Sequence, residues 1–172
     1  IYPGADSATW VDDTTGAYAW YDNDSSQYAS TYGALYNWYS TVNPAGLCPT
    51  GWHVPSDSAW AVLDSFLAQN GYNYDGTSTG NKYAKAMADS VGWYADTVTG
   101  TVGNTDYPAY RNKSGFSGLP GGYRDHHGNS YNYIIKYGYW WGSSQYNTDR
   151  AWNSLLNYKK SLVDWVHNLK NI

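Results

Sequence analysis

Apolar and polar positions change their period along this chain, and each change predicts a different element. After Pro55, the residues Trp60, Val62, Leu63, Phe66 and Leu67 form a wide apolar stripe at helical spacing that stops at Gly71. Ser56 stands ahead of it with a hydroxyl suited to accept from the first free backbone N–H groups, and Asp57 places negative charge in the first turn. A helix starting there is the clearest prediction. A shorter one is predicted over 82–90, where Ala84, Met87 and Ala88 share a side. Tyr32, Leu35, Tyr36 and Tyr39 fall at i, i+3, i+4 and i+7 and predict a third, against the strand preference of their aromatic rings.

Beyond residue 92 the elements become short strands: 116–119, 122–124, 134–136, 139–142 and 151–158. They alternate with turns at Pro120-Gly121, His127-Gly128-Asn129 and Asn147-Thr148-Asp149. The tail returns to a helical period, with Leu162, Trp165, Val166, Leu169 and Ile172 predicting an amphipathic end. Residues 1–29 read as a turn-rich lead-in and 71–80 as a polar, Gly-rich loop. Helices gathered early and strands late predict an α+β domain rather than alternating βαβ units. At 172 residues one domain is the economical reading.

Composition adds a direction. The chain has 20 Tyr and 10 Trp against two Phe and one Met, so side chains joining an apolar face to a polar handle have displaced plain core fillers. Such side chains are frequent on surfaces that hold ligands, although they also build cores. The net charge is −4 with no basic stripe, which argues against nucleic acid as a partner. No apolar run approaches the roughly 18 residues of a membrane-crossing helix. Low Lys with abundant Tyr, Asn, Ser, Gly and Thr points to an extracellular or cell-surface setting, and the opening Ile suggests a chain processed or cut from something longer.

Four short patterns invite a chemical reading. Gly118-Leu119-Pro120-Gly121-Gly122 lacks the following Lys-Ser/Thr of a phosphate-cradling loop. Asp22-Asn23-Asp24 offers oxygens suited to calcium, but an Asx-rich turn explains it as well. His126 and His127 would point to opposite faces of a strand and share an ion only in a turn. Cys48, the one cysteine, sits before Pro49 without an evident third group to orient a pairing with His53. No catalytic residue, metal ligand or cofactor is assigned.

Three longer segments carry more. They are Tyr32-Gly-Ala-Leu-Tyr-Asn-Trp-Tyr39 leading into Leu47-Cys-Pro-Thr-Gly-Trp-His-Val-Pro-Ser-Asp-Ser-Ala-Trp60, then Ser114-Gly-Phe-Ser-Gly-Leu-Pro-Gly-Gly-Tyr-Arg-Asp125, then Tyr137-Gly-Tyr-Trp-Trp-Gly-Ser-Ser144. In this order and spacing they closely resemble the Fibrobacter succinogenes major paralogous domain, a family of bacterial secreted or surface modules, from about Thr15 to about Tyr158. The resemblance implies a C-type-lectin-like fold related to formylglycine-generating enzymes, with two helices on a small twisted antiparallel sheet and long irregular loops. It implies that Trp52, Trp60, Phe116, Leu119, Tyr139, Trp140 and Trp141 are core or turn-locking residues, and that the Pro120-Gly121-Gly122 turn is structural.

The chain departs from that pattern at both ends. The family's first strand and its last, which ends in an Arg-Cys pair, are not found, and that terminal Cys would be the natural partner of Cys48. The expectation is a single lectin-like domain over 1–172 lacking those strands: a fragment, a domain closed by a different tail, or one completed by a neighbouring subunit through an open sheet edge. In related proteins diversified by retroelements the C-terminal stretch is the ligand-facing surface. That carry-over selects Asn153, Leu155, Asn157, Lys159, Asp164, Trp165 and His167, and aromatics outside the motifs add Tyr131, Tyr133 and Tyr146.

The leading expectation is therefore a non-catalytic secreted or cell-surface module that binds a glycan or a surface protein. The alternative is a self-associating subunit of a surface fibre or adhesin, joined by strand or edge contacts. An enzyme of the formylglycine-generating type would need a pair of cysteines, and this chain has one.

Overall fold

The computed structural model of the chain describes residues 2–3 and 7–172. In chain order the elements are β1 (Tyr2–Pro3), α1 (Ser7–Asp12), β2 (Ala17–Ala19), α2 (Ser25–Tyr32), β3 (Leu35–Tyr36), α3 (Trp38–Thr41), α4 (Asp57–Gln69) and α5 (Ala84–Met87), followed by the strands β4 (Tyr123–Arg124), β5 (Tyr131–Asn132), β6 (Tyr137–Gln145), β7 (Arg150–Asn157) and β8 (Asp164–Leu169). The architecture is α+β. β1 runs parallel to β2, β2 runs antiparallel to β3, β4 and β5 form a hairpin, and β6-β7-β8 form an antiparallel meander.

α4 forms for the predicted reasons. Ser56 Oγ accepts from the Ala59 N–H at 3.2 Å, Asp57 lies in the first turn, and Gly71 leaves the helix with φ 79°. Trp60 and Leu67 carry its buried face, whereas Val62 and Phe66 are exposed. That face joins Met87, Val102, Leu156 and Val163 in the main core, between α4 and one face of the meander. Directly paired strand residues share a face, so Trp140, Ser154, Leu156, Trp165 and His167 lie on the α4 side. Tyr139, Trp141, Asn153, Leu155, Asp164 and Val166 lie on the other.

Several predicted elements fall differently. The tail is strand β8 rather than a helix: it supplies a ladder of paired residues from Arg150↔Leu169 to Leu155↔Asp164 along β7, whose outer backbone groups would otherwise lack partners. Its apolar positions fit both periods over so short a stretch. The helix expected across 32–39 lies earlier, as α2. Asp24 caps it by accepting from the Gln27 N–H at 3.0 Å, and Gly33 ends it with φ 72°. Leu35 and Tyr36 then pair with β2 instead. The helix expected over 82–90 shortens to the single turn of α5, because Tyr83 to Ala88 are buried on every side and Ala88 turns extended to meet Gly118.

Residues 116–119 form only that bridge, and 134–136 form a tight turn between Tyr133 and Ile135, both at positive φ. Trp52, implied to be a core or turn-locking residue, is 78% exposed. Among the described residues no helix is long and apolar enough to cross a membrane.

One motif that ties the two halves is the Asn37-Trp38 pair. Asn37, fully buried, accepts from the Ala17 and Ser40 N–H groups and donates to the Asp13 carbonyl. Next to it, Trp38 Nε1 donates to the Gly142 carbonyl at 2.9 Å, and the Trp38 backbone N–H donates to the Lys170 carbonyl at 2.8 Å. The amide and indole of the Asn-Trp pair thereby anchor the N-terminal sheet to the meander.

Candidate functional site: an aromatic cleft along β6

β6 is an outer strand of the meander, and a cleft of ≈ 530 Å³ opens beside it. That volume lies within the range of small-molecule sites. Trp60, Phe116 and Trp140 wall the α4 side; Tyr139, Trp141 and Asn153 wall the opposite side, with Tyr36 and Tyr32 from the N-terminal half facing them. Alternation along β6 explains how one strand serves both walls: Tyr139 and Trp141 point one way and Trp140 the other. Trp141 is held by its indole N–H, which donates to the Tyr36 carbonyl at 2.9 Å. Trp60, Phe116 and Trp140 hold one another edge-on, at 6.0 and 5.2 Å between ring centres.

Two buried donors on these walls have no partner. Asn153 is 1% exposed; its Oδ1 accepts a long hydrogen bond from Asn168 Nδ2 at 3.4 Å, while its own Nδ2 bonds to nothing. Trp60 Nε1, on the other wall, is also buried and unpaired. Buried polar groups are nearly always satisfied in folded proteins, because an unmade bond costs about 1–3 kcal/mol. Both donors belong to residues that line the cleft, and both are covered in this structure.

The rest of the lining is largely apolar, with Leu35, Leu47, Val54, Leu119 and Ile172 among it, and its polar groups are chiefly neutral phenols beside one guanidinium. Burial raises the phenols of Tyr36 and Tyr139 above their ordinary range, with neighbouring tyrosines adding to it, so both stay protonated donors at physiological pH. Tyr123 is raised for the same reason. Arg124, also on the lining, is 1% exposed; its guanidinium donates to the Gly128 carbonyl and lies 4.4 Å from the Trp10 ring centre and 5.4 Å from that of Tyr131. From the cleft an aromatic ledge runs outward: Tyr139 meets Tyr123 edge-on at 5.5 Å, Tyr123 meets Tyr133 at 5.9 Å, and Tyr133 stacks on Tyr137 at 4.6 Å.

The ten residues selected from sequence are not one surface. Trp165 and His167 face α4. The imidazole of His167 stacks on Tyr146 at 3.9 Å and meets Trp152 edge-on, while Trp152 stacks on Trp165 at 5.8 Å. Asn153, Leu155, Asn157 and Asp164 lie on the opposite face, and of the ten Asn153 alone lines the cleft. Asp164 is paired with Lys160 at 2.8 Å, Asn157 Oδ1 accepts from the Lys159 N–H, and the Lys159 ammonium lies over the Tyr158 ring. Tyr131 donates its hydroxyl to Asn23, and Tyr133, 47% exposed, belongs to the ledge.

Tyr36, Tyr139 and Trp141 line the cleft although they lie inside the family motifs, which conceal them as candidates in the sequence. The alternation of aromatics at 139, 140 and 141 was the available signal that one strand lines two walls. The Asp22-Asn23-Asp24 segment is the Asx-rich turn: Asp22 and Asn23 adopt left-handed φ, and Asp24 caps α2 with its carboxyl held below the usual range by the Ser26 hydroxyl and the Gln27 N–H.

Residues 2–170 match the family model of the Fibrobacter succinogenes major domain. Neither a curated protein nor a solved structure matches the chain. With the match running through nearly the whole chain, from β1 to the end of the meander, the protein belongs to the Fibrobacter succinogenes major domain family.

Proposed function

We propose that this chain is a non-catalytic binding module of the bacterial cell surface or secreted space, with a C-type-lectin-like fold, that takes a neutral glycan segment in the cleft along β6. The observation that carries the reading is the pair of unpartnered buried donors, Asn153 Nδ2 and Trp60 Nε1, on a cleft walled by Tyr36, Tyr139, Trp140 and Trp141. Aromatic faces and edges cover the apolar faces of sugar rings, and fixed neutral donors meet hydroxyl and ring oxygens. Protonated phenols suit an uncharged polyhydroxylated ligand better than an anion. The α+β arrangement, with α4 packed on one face of an antiparallel meander and long irregular connections, supports the lectin-like reading. The polar, Tyr-rich and Lys-poor composition supports the extracellular one. The single cysteine leaves no pair for formylglycine-generating chemistry.

The test is a glycan array probed with the wild-type chain and with Asn153→Leu. Binding to a family of neutral oligosaccharides that the variant loses supports the reading; a chain that binds no glycan, or binds equally as Asn153→Leu, overturns it.

The surface-fibre alternative has one supporting observation. β8 pairs with β7 on one side and, among the described residues, with no strand on the other. An outer strand of this kind invites edge-to-edge addition. A monomer in size-exclusion chromatography across the micromolar range would remove that alternative.

A further inference from the structure

We propose that the turn joining β4 to β5 is a binding site for one divalent transition-metal cation of the zinc class, held by Asp125, His126 and His127. Neighbouring residues in a strand cannot share an ion, because their side chains leave on opposite faces. Here the strand ends at Arg124, and the three residues lie in the turn that follows. The two imidazoles come together with ring centres 3.9 Å apart and planes tilted by 41°. One potential ligand atom from each of the three side chains lies within 4.8 Å of the others. Among the described residues no other group of three His, Cys, Asp or Glu side chains comes this close.

The backbone that presents them is already ordered. The Asp125 N–H donates to the Ser130 carbonyl at 2.8 Å, and the Gly128 N–H donates to the Asp125 carbonyl at 2.7 Å. From beneath, the buried Arg124 guanidinium donates to the Gly128 carbonyl through Nη2 at 3.0 Å. Asp125 divides its oxygens: Oδ1 accepts from the His127 N–H at 2.8 Å, and Oδ2 faces His126 Nδ1 at 3.6 Å, too far for a hydrogen bond. That gap is where a cation belongs. Bonds of about 2.0–2.2 Å in tetrahedral geometry put ligand atoms about 3.4 Å apart. Closing from the present spacing takes side-chain rotation alone, and His127 is exposed with His126 half-exposed, so both rings are free to make it.

The donor set chooses the metal. Two imidazoles with one carboxylate suit zinc, copper or nickel, whereas calcium and magnesium call for oxygen ligands throughout. Three protein ligands leave a fourth position for water or for a donor from a bound molecule. The site also has a place in the fold: Tyr123 and Arg124, at the root of the same hairpin, line the β6 cleft, so a cation here would stiffen one rim of it.

Isothermal titration of the whole chain, with any affinity tag removed, against zinc chloride tests the site. The expected result is one zinc per chain. His126→Asn and His127→Asn should each weaken binding by roughly 10–100-fold or more, at least what loss of an outer-shell partner costs. His53→Asn should leave stoichiometry and affinity unchanged, and calcium should not compete. Near-ultraviolet circular dichroism of each variant separates loss of the site from loss of the fold. No saturable zinc binding, or one-to-one binding that survives in the His126→Asn/His127→Asn double variant, overturns the proposal.

Discussion

Asn37 Oδ1 accepts the Ala17 N–H at 2.9 Å, joining positions twenty residues apart through a side chain with no solvent exposure. The same oxygen takes the Ser40 N–H at 3.2 Å, and Asn37 Nδ2 reaches the Asp13 carbonyl at 3.3 Å. One carboxamide therefore meets three backbone groups, of which the Ser40 N–H is shared with the Asn37 carbonyl at 3.2 Å. Asn37→Ala leaves the Ala17 N–H and the Asp13 carbonyl without this partner, while the Ser40 N–H keeps its bond to the backbone carbonyl of residue 37. Leaving a single buried donor unmade costs about 1–3 kcal/mol, so the variant should lose at least that much. Asn37→Asp should recover little, because it places a charge at a site with no solvent exposure and cannot donate to the Asp13 carbonyl. Urea unfolding of the three proteins, compared by midpoint at constant slope, measures it.

A second prediction concerns acid. The Asp75 carboxyl, held by the Lys82 ammonium at 2.5 Å and by the Thr77 hydroxyl, is pulled down to about 2. Its folded-state pKa lies below the unfolded one, so its stabilising contribution is present above about pH 4 and is lost as pH falls toward 2. A carboxyl carbon titration by NMR should show Asp75 still ionised at pH 3, where exposed aspartates are mostly protonated. In Asp75→Asn the acid-side fall in melting temperature over that window should be shallower.

Asp64 runs the other way. It lies in α4 with Oδ1 buried and unpaired; burial raises its carboxyl, and the Tyr83 hydroxyl lowers it by less. The folded state then keeps a proton that the unfolded chain gives up above about pH 4, so this residue's contribution weakens as pH rises through that range. Asp64→Asn keeps an acceptor for Tyr83 and removes the desolvated charge. It should melt higher than the wild type at pH 7, with the difference gone by about pH 3, in scans across that range.

What the sequence made legible follows from how local each cause is. α4 was readable because its cap, first-turn charge, stripe and terminating glycine all lie within sixteen residues and agree. The tail was not. Leu162, Trp165, Val166 and Leu169 suit a helix and a strand alike, and the choice depends on β7, whose edge needs a partner. The Tyr32–Tyr39 segment failed for a related reason: its spacing is helical, but Gly33 ends one helix and Asn37 begins another. The cleft was the least legible part. Tyr36 and Asn153 reach it from positions 117 residues apart, and no local period reports that they meet.

The β6 cleft yields the prediction that best separates binding from architecture. If Asn153 serves the fold, removing it should destabilise; if its unpaired Nδ2 waits for a ligand, the apo protein gains nothing from it. Asn153→Leu replaces the carboxamide by an apolar side chain of similar size, at the cost of one long bond from the half-buried Asn168. Exchanging an unsatisfied buried group for an apolar one is close to neutral or stabilising, often by about 0.5–2 kcal/mol. The variant should therefore melt at or above the wild-type temperature while losing ligand. Tyr139→Phe, which keeps the ring and removes one protonated phenol, should weaken binding by about tenfold, the effect of one lost hydrogen bond of roughly 1.4 kcal/mol. Calorimetric melting paired with titration of the same samples decides the matter: a fall in both stability and binding for Asn153→Leu would make the residue a structural one.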